Sequence, residues 1–363
     1  MARGSKEIDD DDEHEHEHEK VLPMKSAMEQ SVGAEALREV AGAREAIVRE
    51  MGRVVTGQGE TIELVVAALF AGGHCLLTGV PGLAKTLIVR SLGQILDLKF
   101  SRIQFTPDLM PADIVGTEIL EEDRATGHRQ FRFVRGPVFA NLILADEINR
   151  TPPKTQAALL EAMQERRVTT CGQTFELEEP FFVLATQNPI EATGTYALPE
   201  AQLDRFMFNL KIDYLGEDEE VQVVLETTAR RPERLRPILS GERLRRMQEL
   251  VRAVPVADHV ARYAVRLAAA TRPGEKNPFD FVNQWVTWGA GLRGGQQMIL
   301  AAKAWALLHG QVHVSIEDIR RLAVPALRHR VITNYFAESE GATPDSIVRR
   351  LIQALPEPSS GLR

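Results

Sequence analysis

A short glycine-containing stretch that ends in a lysine and a threonine is the first candidate for binding chemistry: Gly79, Val80, Pro81, Gly82, Leu83, Ala84, Lys85 and Thr86. It follows an apolar run and opens an amphipathic segment, so that backbone N–H groups and a helix N-terminus could surround phosphate groups. Lys85 would place a point charge at the β- and γ-phosphates of a nucleotide, and Thr86 would offer a hydroxyl to Mg²⁺. Ala84 stands where glycine is usual, and alanine is acceptable there if its φ and ψ are helical, because only a positive φ strictly requires glycine. The alternative is a glycine-rich turn with a purely structural role.

Two carboxylates, Asp146 and Glu147, follow the apolar run 141–145, which is typical of a buried strand. An aspartate at the carboxyl end of a strand beside a phosphate-binding loop can orient Mg²⁺ and its water. The glutamate after it can polarise an attacking water molecule. An acidic pair at a strand end is common by itself, but its position after such a loop favours phosphoryl-transfer chemistry.

Two further polar residues stand beside predicted strands. Asn188 follows the run 181–186 and could hydrogen-bond the attacking water or the γ-phosphate, although an asparagine before Pro189 also suits a turn. Arg205 directly precedes the run 206–212, and a lone arginine at such a position is usually a surface charge.

The elements that must position these residues alternate between strand and helix. Apolar runs at 75–78, 100–105, 142–145, 181–186 and 206–212 predict strands, with helices at 86–96 and 153–165 between some of them. This alternation indicates βαβ units and a buried parallel sheet, and therefore an α/β fold. Two hairpins are predicted at 117–134 and 167–177.

Helical spacing of apolar residues occurs at 35–51 and 60–71. After residue 213 the same spacing predicts a smaller all-α domain, with helices at 221–228, 242–252, 258–270, 295–308 and 315–327.

The charge of the chain is concentrated at its beginning. Of the formal net charge of −8 over 363 residues, −6 lies in residues 1–20, which leaves −2 for the remainder. This near-neutral body argues against a globally basic nucleic-acid binder and leaves room only for a local basic patch. We expect the acidic tail to be disordered because it has few apolar residues to bury. Its residues His14, His16 and His18 could bind a metal or belong to an affinity tag.

The remaining composition excludes several classes of protein. Cys75 and Cys171 are too few for a disulfide framework or a zinc site, and we expect both to be buried, reduced thiols. No apolar stretch is long enough to cross a bilayer, and no secretory signal is evident. The chain is therefore expected to be cytoplasmic.

Taken in order, these segments resemble the AAA+ ATPases, and among them the MoxR family. The resemblance runs from about residue 32 to residue 355, and its most specific parts are 105–114, 135–150, 154–165 and 185–205. It implies a P-loop parallel sheet flanked by helices, with a smaller all-α lid domain. The implied division is a tail (1–31), a nucleotide-binding α/β domain with two hairpin insertions (32–215), a linker helix and basic connection (216–240) and a helical lid (241–363).

The resemblance also implies a role for each residue of the phosphate site, with ATP and Mg²⁺ as ligands. Lys85 and Thr86 match the Walker A lysine and hydroxyl. Asp146 and Glu147 match the metal-orienting and catalytic acids of Walker B, and Asn188 matches sensor 1. Hydrolysis of ATP to ADP and phosphate is therefore expected.

Two arginines are implied to act on the same phosphates. Arg205 matches the arginine finger, which in this family reaches the ATP of the neighbouring subunit, so a homo-hexameric ring is expected. Arg293 resembles sensor 2 at the start of a lid helix and would also contact nucleotide. The family pattern has Ser and Pro before that arginine, whereas this chain has Gly291 and Leu292.

Several functions remain open from the sequence. The first is an ATP-driven motor that remodels or matures a client protein, with the von Willebrand factor A domain partner that MoxR relatives typically have. The others are a nucleotide-gated scaffold with incidental hydrolysis, a chelatase-type motor subunit, and a helicase. Nucleic acid is the less favoured partner because the arginines between 230 and 246 lack interleaved aromatic residues.

Overall fold

Strands and helices alternate through the computed structural model, which describes residues 33–80, 82–122, 129–188, 195–229 and 235–358. Its strands are β1 (Cys75–Gly79), β2 (Phe100–Gln104), β3 (Gly116–Glu122), β4 (Arg129–Arg135), β5 (Leu142–Asp146), β6 (Arg167–Thr170), β7 (Gln173–Glu176), β8 (Phe182–Gln187), β9 (Phe208–Ile212), β10 (Val286–Trp288) and β11 (Ile332–Thr333). Its α-helices are α1 (Ala34–Met51), α2 (Gly59–Ala71), α3 (Lys85–Ile95), α4 (Pro111–Val115), α5 (Pro153–Glu165), α6 (Glu200–Leu203), α7 (Glu217–Ala229), α8 (Gly241–Ala253), α9 (Asp258–Ala270), α10 (Asp280–Trp285), α11 (Leu292–Leu308), α12 (Ile316–Leu327), α13 (Tyr335–Ser339) and α14 (Pro344–Ala354).

The centre of the fold is a parallel sheet of five strands in the order β2-β5-β8-β1-β9. Strand β5 is buried from Leu142 to Ala145 because helices cover both faces of the sheet. This confirms the predicted α/β fold. Since all five strands are parallel, their carboxyl ends meet at one edge and their amino ends at the other. The two edges are about 16 Å apart for a strand of five residues.

Each face of the sheet has its own apolar core. Along β1, Cys75 and Leu77 point to one core, which also contains residues of α1, α2, α3, α8, α9, α11 and α12. Leu76 points to the other, which is built with α5. The alternation of side chains along each strand therefore divides the helices between two layers.

Two hairpins extend from this body, as predicted. Strands β3 and β4 pair antiparallel, and so do β6 and β7. Phe133 of β4 stacks on Phe175 of β7 with their ring centroids 4.5 Å apart, which joins the two hairpins. Residues 123–128 of the hairpin predicted at 117–134 lie outside the described residues. The expectation that both thiols are buried holds for Cys75 and is wrong for Cys171, which is exposed at the β6–β7 turn with a φ of 51°.

Among the helices after residue 240, α8, α9 and α12 contact α11, which also contacts α1 and α2. Helix α12 contacts β9, the outermost strand on one side of the sheet. This part of the chain therefore covers one face of the sheet and also its β9 side. The described residues belong to one compact unit, and the predicted domain boundaries stay predictions. No helix among them is long and apolar enough to cross a membrane.

Candidate functional site

The glycine-containing loop connects β1 to α3 at the carboxyl edge of the sheet. Gly79 must be glycine, because a Cβ there would lie 2.5 Å from the carbonyl oxygen of Ile212 on the neighbouring strand. Gly82 has a φ of 88°, a conformation that favours glycine. Of the eight loop residues, Pro81 lies outside the described ones.

The condition under which alanine is acceptable at position 84, helical dihedral angles, is not met. Ala84 has a φ of 55° and a ψ of 15°, which place it in the left-handed region, directly before the first residue of α3. The loop must reverse its direction there to enter the helix, and an L-residue pays about 1 kcal/mol for that conformation. The usual glycine at this position would avoid that cost.

A cavity of about 330 Å³ lies at this edge, and the predicted phosphate-site residues converge on it. Its lining comprises Gly82, Ala84, Lys85, Thr86, Leu87, Asp146, Glu147, Thr186 and Asn188. They meet because the carboxyl ends of β1, β5 and β8 are neighbours in the sheet. Asn188 is buried directly after β8.

Lys85 is the cation of this cavity. Its Nζ donates a hydrogen bond to the carbonyl of Gly79, which holds the ammonium over the loop. Partial burial lowers the pKa of Lys85, and the nearby carboxylates of Asp146 and Glu147 oppose that shift. The ammonium therefore faces two negative charges within one small space.

A neighbouring threonine holds the carboxylate of Asp146 and the backbone of Glu147. Thr186 Oγ1 donates to Oδ1 of Asp146 (2.7 Å) and accepts from the backbone N–H of Glu147 (2.8 Å). Glu147 has a φ of 58° and a ψ of 48°, which is the left-handed conformation. A non-glycine residue persists in that conformation only where its surroundings fix it, and such residues are concentrated at functional sites.

Two residues of β2 also belong to the site, and the sequence patterns did not single them out. Arg102 donates to Oδ2 of Asp146 from Nη2 (2.6 Å) and from Nε (3.1 Å). Gln104 Nε2 donates to Oε2 of Glu147 (2.8 Å), which Arg150 approaches at 3.3 Å. Arg102 and Gln104 are polar residues two apart within a predicted strand, and residues two apart on a strand share a face. This spacing could have indicated that both side chains point to the same side of the sheet.

The predicted arginines occupy a different place, at the amino edge of the sheet. Arg205 precedes β9, and its Nη1 donates to the carbonyl of Leu160 on α5 (2.6 Å). Arg293, the second residue of α11, pairs through Nη1 with Oδ2 of Asp204 (3.3 Å). Both line a cavity of about 200 Å³ together with Gly72, Gly73, His74, Met163, Gln164, Arg166 and Gln297.

His74 marks this cavity as the amino end of β1, because it directly precedes that strand. Burial, aided by the nearby charge of Arg166, lowers the pKa of His74 to about 3. Its Nδ1 accepts from the backbone N–H of Val183 (3.1 Å), and its Nε2 donates to the carbonyl of Met163 (3.2 Å). The imidazole is thus neutral and fully engaged, which leaves the arginines as the charged groups lining this cavity.

The structure therefore divides the predicted site residues into two groups. It brings Lys85, Thr86, Asp146, Glu147 and Asn188 together, and it places Arg205 and Arg293 at the opposite edge of the same sheet. No group of three or more His, Cys, Asp or Glu side chains able to hold a metal occurs within the described ranges. The histidines of the tail lie outside those ranges.

Comparison with known proteins agrees with this geometry. Residues 74–208 match the model of the ATPase family associated with various cellular activities (AAA), and residues 282–351 match the AAA lid domain. Chaperone MoxR1 of Mycobacterium tuberculosis is 41% identical over 327 residues, which cover 90% of this chain and 85% of that protein. The chain belongs to the MoxR family of AAA+ ATPases.

Two further proteins are also similar to this chain. Protein MoxR of Methylorubrum extorquens is 28% identical over 323 residues, covering 85% of this chain and 94% of that protein. The crystal structure of a proposed ATPase from Cytophaga hutchinsonii superimposes with a TM-score of 0.82 at 38% identity, covering 92% and 99% of the two chains. The MoxR-family chain is accordingly an ATPase with a P-loop α/β body and an AAA lid.

Proposed function

We propose that this ATPase works as a ring of identical subunits, in which Arg205 and Arg293 of one subunit complete the nucleotide site of the next. One observation carries the proposal. The arginines lie at the amino edge of the sheet and the Lys85 cavity lies at the carboxyl edge. The span between the edges, about 16 Å, is longer than an arginine side chain. A second copy of the chain can bring these arginines to the bound phosphates, and a single copy cannot.

Within one subunit, we assign the phosphates of ATP to Lys85 and to the backbone N–H groups of residues 79–84 other than Pro81, which has none. Thr86 and Asp146 supply a hydroxyl and a carboxylate, the oxygen donors that Mg²⁺ prefers, in one cavity. When bound, Mg²⁺ neutralises charge on the phosphates. Glu147 would polarise the attacking water, and Asn188 would hydrogen-bond that water or the γ-phosphate. We propose that the loop and these side chains position the water and the phosphate in line.

Arg102 competes for the carboxylate that we assign to Mg²⁺. Because Arg102 is half exposed, its ion pair with Asp146 is weak enough to be displaced. We expect Arg102→Ala to lower the Mg²⁺ concentration for half-maximal ATPase activity by about threefold, since that pair no longer has to be broken. The measurement is ATPase rate against Mg²⁺ at saturating ATP, with Arg129→Ala, which removes an exposed ion pair to Glu122, as the control. An unchanged or increased Mg²⁺ requirement would contradict the competition.

Hydrolysis in this ring would drive the remodelling or maturation of a client protein. The 41% identical relative is named a chaperone, which supports this class of function. We also propose a von Willebrand factor A domain protein as partner, on the family resemblance. The cytoplasmic location stays a prediction.

A helicase function finds less support. Among the described arginines of the predicted basic stretch, Arg243 pairs with Glu39 (2.6 Å) and Arg246 pairs with Glu242 (2.7 Å). These carboxylates neutralise positive charge that a nucleic-acid backbone would need. The arginines at 230, 231 and 234 lie outside the described residues.

Sedimentation velocity tests the ring. We expect Mg²⁺ and a slowly hydrolysed ATP analogue to convert the 40.4 kDa subunit into a species about six times heavier. Lys85→Ala is the matched control, because it loses the phosphate contact that makes assembly nucleotide-dependent. Full ATPase activity in a species that stays monomeric at every nucleotide concentration would refute the proposal.

A further inference from the structure

Arg205 is attached to a piece of structure that has little stability of its own. It follows α6, a helix of only four residues whose C-cap is Asp204. A single helical turn is not stable in isolation, so its position depends on tertiary contacts. The contacts that hold this turn therefore decide where the arginine points.

A buried arginine from the lid supplies those contacts. Only 2% of the Arg330 side chain is exposed. Its Nε donates to Oδ1 of Asp204 (2.7 Å), and its Nη2 donates to the carbonyls of Asp204 (2.7 Å) and Phe206 (2.8 Å). Its Nη1 reaches the carbonyls of Met207 (3.4 Å) and Ala326. One guanidinium thus contacts three backbone carbonyls around Arg205, one before it in the chain and two after it.

Asp204 connects that guanidinium to the second arginine of the amino edge. While Oδ1 accepts from Arg330, Oδ2 accepts from Arg293 Nη1 (3.3 Å). Helix α11 packs closely here, since a Cβ on Gly294 would lie 3.3 Å from Cδ of Arg330 and 3.1 Å from Cβ of Ala290. The start of α11, the turn after α12 and the turn before β9 are thereby fixed to one carboxylate.

We infer that Asp204 and Arg330 are positioning residues that hold Arg205 and Arg293 as one rigid pair for the ATP of the neighbouring subunit. The inference rests on the proposed function, because it gives the pair a task only if the arginines act across an interface. Neither positioning residue lines the Lys85 cavity or the cavity at the amino edge. A substitution of either residue acts through the two arginines. It must therefore lower hydrolysis in the site of the neighbouring subunit and not in the site of its own subunit.

A mixing experiment separates this role from a purely structural one. Acceptor subunits carry Arg205→Ala, and donor subunits carry Glu147→Gln, so that neither hydrolyses ATP efficiently alone. A mixture regains turnover where a donor's Arg205 faces an acceptor's intact site. Adding Asp204→Asn to the donor is expected to lower the restored kcat about tenfold with the KM for ATP unchanged, because the arginines are misplaced while the acceptor's own loop still binds the phosphates.

The same substitution in the acceptor is the decisive comparison. We expect Asp204→Asn there to leave the restored turnover within about twofold of the parent mixture, since the acceptor contributes no finger. Asp258→Asn in the donor is the matched control, because Asp258 forms an exposed ion pair with Arg262 elsewhere in the lid. If Asp204→Asn does not fold, Arg330→Lys replaces it, because lysine keeps the positive charge and loses the planar guanidinium with its several N–H donors.

The outcomes are distinguishable. The inference is supported if Asp204→Asn lowers the restored kcat when the donor carries it and not when the acceptor carries it. An equal loss in both placements, or no loss in either, overturns it while the restored turnover of the parent mixture still stands. If the parent mixture regains no turnover, the arrangement of arginines across subunits is itself wrong, and the inference falls with it.

Discussion

Arg205→Ala is expected to lower ATP turnover about a thousandfold at saturating nucleotide, because an arginine supplied by a neighbouring subunit contributes this much to phosphoryl transfer. The guanidinium would neutralise charge that develops on the γ-phosphate in the transition state. Its own subunit's cavity is at the far edge of the sheet, so ATP binding within that subunit should be nearly unchanged.

The measurement pairs steady-state ATPase kinetics with direct binding of a fluorescent ATP analogue. Arg262→Ala is the matched control, since Arg262 is an exposed lid arginine with one ion pair to Asp258. Turnover in Arg205→Ala within about tenfold of the parent would refute the finger assignment, and so would a loss of nucleotide affinity as large as the loss of turnover.

Glu147→Gln is expected to lower turnover by about a hundred- to ten-thousandfold, because the amide cannot accept a proton from the attacking water. The substitution preserves the size of the side chain and the oxygen that accepts from Gln104. ATP should therefore bind with Mg²⁺ as before and remain uncleaved. Single-turnover hydrolysis and retention of labelled ATP measure the two effects, with Glu242→Gln as the exposed control.

The same variant separates a motor from a nucleotide-gated scaffold. A motor loses its cellular function when it binds ATP and cannot hydrolyse it, whereas a scaffold retains or gains function in that state. Capture of partners by the ATP-loaded variant would test the proposed von Willebrand factor A domain protein. Recovery of a different enriched client would redirect the assignment within the motor class.

The phosphate site could be predicted from the sequence because its parts are local. Lys85, Asp146 and Asn188 each follow an apolar run, and parallel strands bring such positions to one edge whatever the remainder of the chain does. The five strands of the central sheet and most of the longer helices follow from the same apolar patterns, whereas β10 and β11 have no predicted counterpart. Helix α14 has no counterpart among the predicted helices, although Thr343 and Ser346 form a capping box at its start.

The rest depends on packing between distant segments. That Arg102 and Gln104 meet the acidic pair follows from the register of β2 on β5, which pairs Gln104 with Asp146. That Arg293 lies beside Asp204 follows from the packing of α11 on α12 and of α12 on β9. The left-handed Ala84 follows from the path of the loop, because a sequence pattern gives the residue type and not the dihedral angles.

The two edges of the sheet also restrict the symmetry of the assembly. In a two-fold dimer, the same patch of both subunits meets itself. Such a contact completes both sites only if the arginines and the nucleotide cavity lie in one patch, whereas in this subunit they lie at opposite edges of the sheet, about 16 Å apart. A heterologous, head-to-tail interface presents one edge to the other and repeats until it closes. In the proposed assembly each subunit therefore supplies arginines to one neighbour and receives them from the other, so that the contacts between subunits run in one direction around the ring.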